Sequence, residues 1–205
     1  MMVRFTGLFG RGRRPLQRAV GRSEGPFAQS VQSLNADPYL MVADPQLRLI
    51  SVFDDLRYDR ADLDLMSGPM RRRAVAKLQP LGFVQRSGSV LENRAEDICV
   101  LLPKFKALGA SPFDATRDIA RRAQDYFLLT PTQAACQILD AHRLAQAMDR
   151  LERLVVRHPV NLLRIFDFLE SRDARDRVRG AIGHLAALQR EAVSREPLKR
   201  RRALR

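Results

Sequence analysis

The chain has few cysteines and no long apolar run, and each shortage excludes a class of protein. Its 205 residues include two cysteines, Cys99 and Cys136. That is too few for a disulfide framework, so a reducing compartment is expected. No apolar stretch approaches the ~18–20 residues that cross a bilayer, and arginines interrupt the first apolar patch where a secretory signal would lie. We therefore expect no membrane span, and a cytoplasmic protein.

Sequence motifs for catalysis are absent as well. The chain has no phosphate-binding G-x-x-x-x-G-K-[ST], no dinucleotide-binding G-x-G-x-x-G, no G-x-S-x-G nucleophile elbow and no H-E-x-x-H zinc motif. Its three histidines, His142, His158 and His184, are scattered, and none pairs with a cysteine or another histidine at zinc-ligand spacing. We therefore predict a protein that is not an enzyme and needs no cofactor or metal.

Positive charge is plentiful, but it is concentrated at the two chain ends. The formal net charge is +13; residues 1–36 hold six arginines against one glutamate, and residues 193–205 hold five arginines and one lysine against one glutamate. Residues 37–192 are close to balanced, with 24 basic and 21 acidic side chains. A nucleic-acid-binding domain is expected to carry its own basic face, so the ends are the better candidates for phosphate contacts. The candidates are Arg11, Arg13, Arg14, Lys199, Arg200, Arg201 and Arg202.

Both ends are predicted to be disordered. Residues 1–36 are rich in glycine, arginine, serine and glutamine, so we expect a disordered basic arm there. Residues 194–205 form a basic tail. Residues 1–23 contain no acidic side chain and also resemble a transit peptide, which would place the protein in the mitochondrial matrix. Glycines in this stretch would break the amphipathic helix that such a peptide forms.

Residues 44–102 are predicted to form a small part made of helices and strands. Asp44-Pro45 is a helix cap followed by proline, which predicts a first helix. The apolar stripe of that helix is Leu47, Ile50, Phe53 (or Val52) and Leu56. Short helices are expected at 60–66 and 70–78. Residues 98–102 are apolar throughout, which fits either a buried strand or a helix.

Residues 111–193 are predicted to form a bundle of about four helices. The capping box Thr130-Pro131-Thr132-Gln133 opens the longest helix, which is expected to run without interruption to Arg157. The four helices are predicted at 111–128, 131–157, 160–169, and from Ser171 or Asp173 to about residue 192. Residues 160–169 are apolar almost all round, which is typical of a central, buried helix. The predicted fold class is therefore mainly α.

The segment from Ala61 to Leu91 resembles a winged helix-turn-helix in the order of its elements. Two short helices are followed by a β-hairpin around Gly88. The resemblance implies that Arg71, Arg72 and Arg73 lie on a recognition helix and that Arg86 lies in the wing. The alternative is a solvated basic helix beside an incidental hairpin. Five nearby acidic residues, which would repel phosphate, favour that alternative: Asp54, Asp55, Asp59, Asp62 and Asp64.

Together these patterns predict a non-enzymatic protein that binds a macromolecular partner. Its basic ends are expected to contact nucleic acid or a nucleoprotein complex, while its body contacts protein. The alternative is a helical protein–protein adaptor or assembly factor without a nucleic-acid role.

Overall fold

Six strands form one mixed β-sheet through the middle of the protein, in a computed structural model that describes residues 26–53, 66–103, 121–169 and 172–195. The strands are Leu40–Asp44 (β1), Leu49–Val52 (β2), Val84–Ser87 (β3), Val90–Asn93 (β4), Ile98–Leu101 (β5) and Tyr126–Leu129 (β6). Their order across the sheet is β1-β2-β6-β5-β4-β3. The central strand β6 runs parallel to both β2 and β5, and the outer neighbours pair antiparallel.

Helices cover the two faces of this sheet. They are Pro26–Ser33 (α1), Gly68–Leu78 (α2), Pro131–Ala141 (α3), Leu144–Arg157 (α4), Leu162–Phe168 (α5) and Arg172–Arg195 (α6). Side chains of α2 and of the 3-10 turn Leu34–Ala36 share one buried cluster with the sheet, and those of α3 to α6 share the other. The predicted mainly-α fold with a C-terminal helical bundle is therefore wrong, because the protein is a mixed α/β structure.

The β1–β2 hairpin replaces the helix predicted to begin at Asp44-Pro45. Along β1, Leu40 and Val42 face one cluster, whereas Met41 and Ala43 face the other. A strand that is buried on both faces is apolar at most positions, so its sequence shows no regular alternation of apolar and polar residues. In β2 and its flanks, the apolar residues Leu47, Ile50 and Phe53 happen to have helical spacing, which led to the helix prediction. The Asp44 carboxylate, which the sequence suggested as a helix cap, instead closes the hairpin turn by accepting the N–H groups of Gln46 and Leu47 at 2.8 and 3.2 Å.

A second predicted helix is also wrong at its C-terminal end, where the buried strand β6 lies. The helix predicted over 111–128 does not extend through Tyr126, because residues 126–129 form a strand that is buried throughout. The earlier part of that predicted helix, up to residue 120, lies outside the described residues. The apolar run at 98–102, which fitted either a strand or a helix, is strand β5 up to Leu101.

The Thr130 capping box is confirmed, although the helix it opens is shorter than predicted. Thr130 Oγ1 accepts the Gln133 N–H at 3.3 Å, and Gln133 Oε1 accepts the Thr130 N–H at 2.9 Å. The helix ends at Ala141, where His142 and Arg143 adopt extended backbone conformations, and α4 begins at Leu144. The prediction of one continuous helix over residues 131–157 is therefore wrong.

Several other expectations can be checked. Helix α2 and the hairpin around Gly88 are confirmed. Helix α5 is not buried all round, because Leu163 is 70% exposed. The helix predicted at 60–66 lies outside the described residues up to residue 65. Of the predicted basic arm, residues 1–25 also lie outside them, while residues 26–36 form α1 and the 3-10 turn, with Val31 and Leu34 buried.

Replacement of the cap and of a core residue should have different costs. Thr130→Ala removes an N-cap and is expected to lower the free energy of unfolding by about 1 kcal/mol. Leu151→Ala should cost about 2–5 kcal/mol, because it empties a fully buried position between the sheet and the helices. Urea unfolding of both variants measures the difference. Equal costs would contradict the assigned role of one of the two residues.

Candidate nucleic-acid interface

Helix α2 and the β3–β4 hairpin meet in one surface, which carries all the predicted phosphate-binding residues that the structure describes. The Ser67 hydroxyl caps α2 by accepting the Met70 N–H at 3.3 Å, and a proline lies in its first turn. Met70, Ala74 and Leu78 then bury the inner side of the helix. On its outer side, the Arg71 guanidinium donates to the Gly88 carbonyl in the hairpin turn. The start of α2 is thereby tied to the tip of the hairpin.

Arg73 and Lys77, which lie one turn apart on α2, are bound to a single carboxylate. Asp37 Oδ2 lies 2.8 Å from Arg73 Nη2 and 2.9 Å from Lys77 Nζ, and the Asp37 side chain is 7% exposed. The Arg73 guanidinium also lies over the Tyr39 ring, 5.2 Å from its centroid. Burial acts to raise the pKa of Asp37. Hydrogen bonds from Lys77 and the Tyr39 N–H, with the charges of Arg73 and Lys77, outweigh burial and hold that pKa below its ordinary value.

Arg86 and Arg72 complete the predicted set in this region. The Arg86 guanidinium lies 2.5 Å from Glu92 on the neighbouring strand, and Glu92 is also 3.2 Å from Arg94. Arg72 is exposed on the outer side of α2. Three of the four predicted residues in the described part of the chain therefore already bind groups of the protein itself. The candidates at positions 11, 13, 14 and 199–202 lie outside the described residues.

The winged-helix resemblance is retained only in the order of α2 and the hairpin. Strand β4 pairs with β5 as well as with β3, so the hairpin is the outer part of the six-stranded sheet. The first helix of the proposed motif falls almost entirely outside the described residues.

A buried polar cluster at the opposite edge of the sheet was missed from the sequence. Asp44 Oδ2 lies 2.6 Å from His142 Nε2 and 2.7 Å from Arg150 Nε, and the Asp44 side chain is fully buried. Arg150 also donates to the Gln46 side chain and to the Gln146 carbonyl. This cluster joins the β1–β2 turn to the α3–α4 junction. Asp44 is separated from His142 and Arg150 by about a hundred positions along the chain, so no local sequence pattern predicts the cluster.

A second missed cluster surrounds Asp125, just before β6. Asp125 is 3% exposed and accepts the backbone N–H groups of Cys99 and Arg122 at 3.0 and 2.9 Å. The Arg122 guanidinium bridges Asp125 to Asp97. Burial, followed by the charge of Asp125, raises the pKa of the Cys99 thiol. Cys99 therefore stays protonated at neutral pH and is a poor nucleophile.

Neither cluster brings together a set of metal-binding side chains. Within the described ranges, no three His, Cys, Asp or Glu side chains are grouped so that they could hold a metal ion. Among the helices described above, none is long and apolar enough to cross a membrane. Comparison with protein-family models, with curated proteins and with solved structures found no match for this chain.

The Asp37 contacts predict a specific loss of stability in acid. Because the folded pKa of Asp37 lies below its ordinary value of 3.8, its contribution is present above that value and is lost as the pH falls through the folded pKa. Asp37→Asn should therefore destabilise the protein at pH 7 and have a smaller effect near pH 3. Urea midpoints across this range measure the effect, with the half-exposed Asp176→Asn as the control. An equal loss at both pH values would contradict the role given to the Asp37 carboxylate.

Proposed function

We propose that this protein is a non-enzymatic macromolecule-binding protein whose basic chain ends contact nucleic acid or a nucleoprotein complex. The observation that carries the proposal is the distribution of charge. Of the net charge of +13, only a small part belongs to residues 37–192, in which 24 basic side chains face 21 acidic ones. Arginine-rich ends beside a nearly neutral body are suited to electrostatic binding of a phosphate backbone.

Ion pairs within residues 37–192 also support the proposal that the chain ends, and not the body, bind phosphate. Arg73 and Lys77 are bound to Asp37, Arg86 to Glu92, and Arg150 to Asp44. A cationic side chain that is already paired with a carboxylate must break that ion pair to bind phosphate. The free energy gained on phosphate binding is therefore smaller. The surplus cations at the ends have far fewer acidic neighbours in sequence. The body is then free to contact a protein partner, in the cytoplasm or, if residues 1–23 act as a transit peptide, in the mitochondrial matrix.

One observation favours a second interface on α2. Arg71 contacts the hairpin turn at Gly88, and its neighbour Arg72 is exposed. In the alternative proposal this surface, and not the chain ends, reads the nucleic acid. A third proposal is a protein–protein adaptor that binds no nucleic acid.

A salt titration of nucleic-acid binding separates these proposals. The full chain should bind a fluorescent duplex or single strand with an affinity that falls steeply with salt, by roughly 0.7–0.9 logarithmic units per logarithmic unit of salt for each phosphate contact. A chain without residues 1–25 and 196–205 keeps every described element and should lose most of this binding. Fluorescence anisotropy from about 50 to 200 mM salt measures both.

Matched substitutions complete the experiment. Arg71→Ala with Arg72→Ala tests the α2 surface, and Arg73 is left in place because Asp37 depends on it. The control is Arg172→Ala with Arg179→Ala, which removes two largely exposed arginines from α6. Both pairs are expected to have small, similar effects. A selective loss with the α2 pair would transfer the function to that surface, and absence of binding by the full chain would favour the adaptor.

A further inference from the structure

The two edges of the sheet differ in how well they are covered. All five residues of β1 are buried, and the Val42 N–H on this strand donates to the Asn35 side chain at 2.8 Å. At the other edge, all four residues of β3 are exposed. An exposed edge strand presents unpaired backbone groups, to which another strand can add. The exposed edge is therefore β3.

An apolar side chain accompanies this open backbone. Val84 on β3 is 62% exposed. It lines a cleft of about 460 Å³ together with Leu81 and Ala95 and with the charged residues Arg86, Glu92, Arg94 and Glu96. A strand added to β3 would cover Val84 and place its own alternate side chains in this cleft. The cleft therefore lies where specificity for an added strand would arise.

Arg86 is the only charged side chain of β3, and it is turned away from the edge. Natural proteins often protect an edge strand with a charged side chain that extends past it. Here the Arg86 guanidinium is held 2.5 Å from Glu92, which lies on the inner neighbour β4. The contact between Arg71 and the Gly88 carbonyl also anchors the hairpin turn to α2. The edge is thus both accessible and held in place.

The charges of the cleft favour a second copy of this chain over a strongly charged partner. The cleft carries two cations, Arg86 and Arg94, and two anions, Glu92 and Glu96. A surface with equal numbers of both signs offers no net attraction to nucleic acid or to an acidic peptide. It can be complementary to itself when a twofold axis brings two copies together.

We propose that β3 is a dimer interface, at which it pairs antiparallel with β3 of a second copy of this chain. A bulge between Gln85 and Ser87 limits regular pairing to the first part of the strand. The proposed twofold axis passes beside Val84, the exposed apolar residue of the strand. Directly opposed residues in antiparallel strands lie on the same face of the sheet. The two Val84 side chains then cover each other, and the two clefts join on one face of a continuous twelve-stranded sheet.

Sedimentation of the full chain across a range of concentrations tests the dimer. The wild type should form dimers, more strongly at higher salt, because salt screens the repulsion between two copies of charge +13. Val84→Arg should weaken association at least about tenfold, since like charges would face each other across the axis. Leu163→Arg, at an exposed apolar position on α5, is the control and should associate normally. A monomer up to about 0.1 mM, well above micromolar affinities, would overturn the proposal.

Disulfide formation tests the register of the two strands. In a Cys99→Ser background, Val84→Cys should give a covalent dimer on oxidation, because opposed Cα atoms lie about 4.5–5.5 Å apart. Gln85→Cys is the matched control. Its symmetry mate would lie about 8 Å away, beyond the reach of a disulfide. Equal cross-linking of both variants, or a dimer that Val84→Arg and Leu163→Arg weaken alike, would exclude this interface. Neither measurement involves nucleic acid, so the outcome is independent of the proposed function.

Discussion

Burial of both faces of the sheet is the constraint on which the rest of this structure depends. β2 and β6 have every residue buried, and β6 joins the β1–β2 hairpin to the β3–β4–β5 meander through parallel pairing on both sides. Parallel strands of this kind require helices on both faces. The packing of α2 on one side and of α3 to α6 on the other follows from that requirement. The described elements therefore form one sheet-centred structure.

Buried carboxylates connect the layers. Asp37 holds two cations of α2 beside the start of β1, and Asp44 holds the end of β1 to His142 and Arg150. Each carboxylate leaves water only because several donors replace its hydration. The same pairs neutralise part of the charge of residues 37–192. Most of the net charge of +13 therefore belongs to the chain ends, where acidic side chains are few.

The sequence predicted elements whose signals are local and failed where tertiary contacts decide. Thr130 and Gln133 are three residues apart, so their capping box could be recognised, as could the turn at Gly88. Strands β1, β2 and β6 could not, because burial on both faces removes the alternation that identifies a strand. The break between α3 and α4 was also hidden. His142 contacts Asp44, and no helix propensity at either position encodes that contact.

The central position of β6 has a consequence during synthesis of the chain. Strands β2 and β5 emerge from the ribosome well before residues 126–129, and each has an open edge that only β6 fills. At roughly 5–20 residues per second, the delay after β5 lasts a few seconds. Throughout that interval the nascent chain exposes two apolar strand edges that resemble aggregation-prone segments. The yield of folded protein should therefore depend on translation speed through residues 102–129 and on chaperones that bind extended apolar segments.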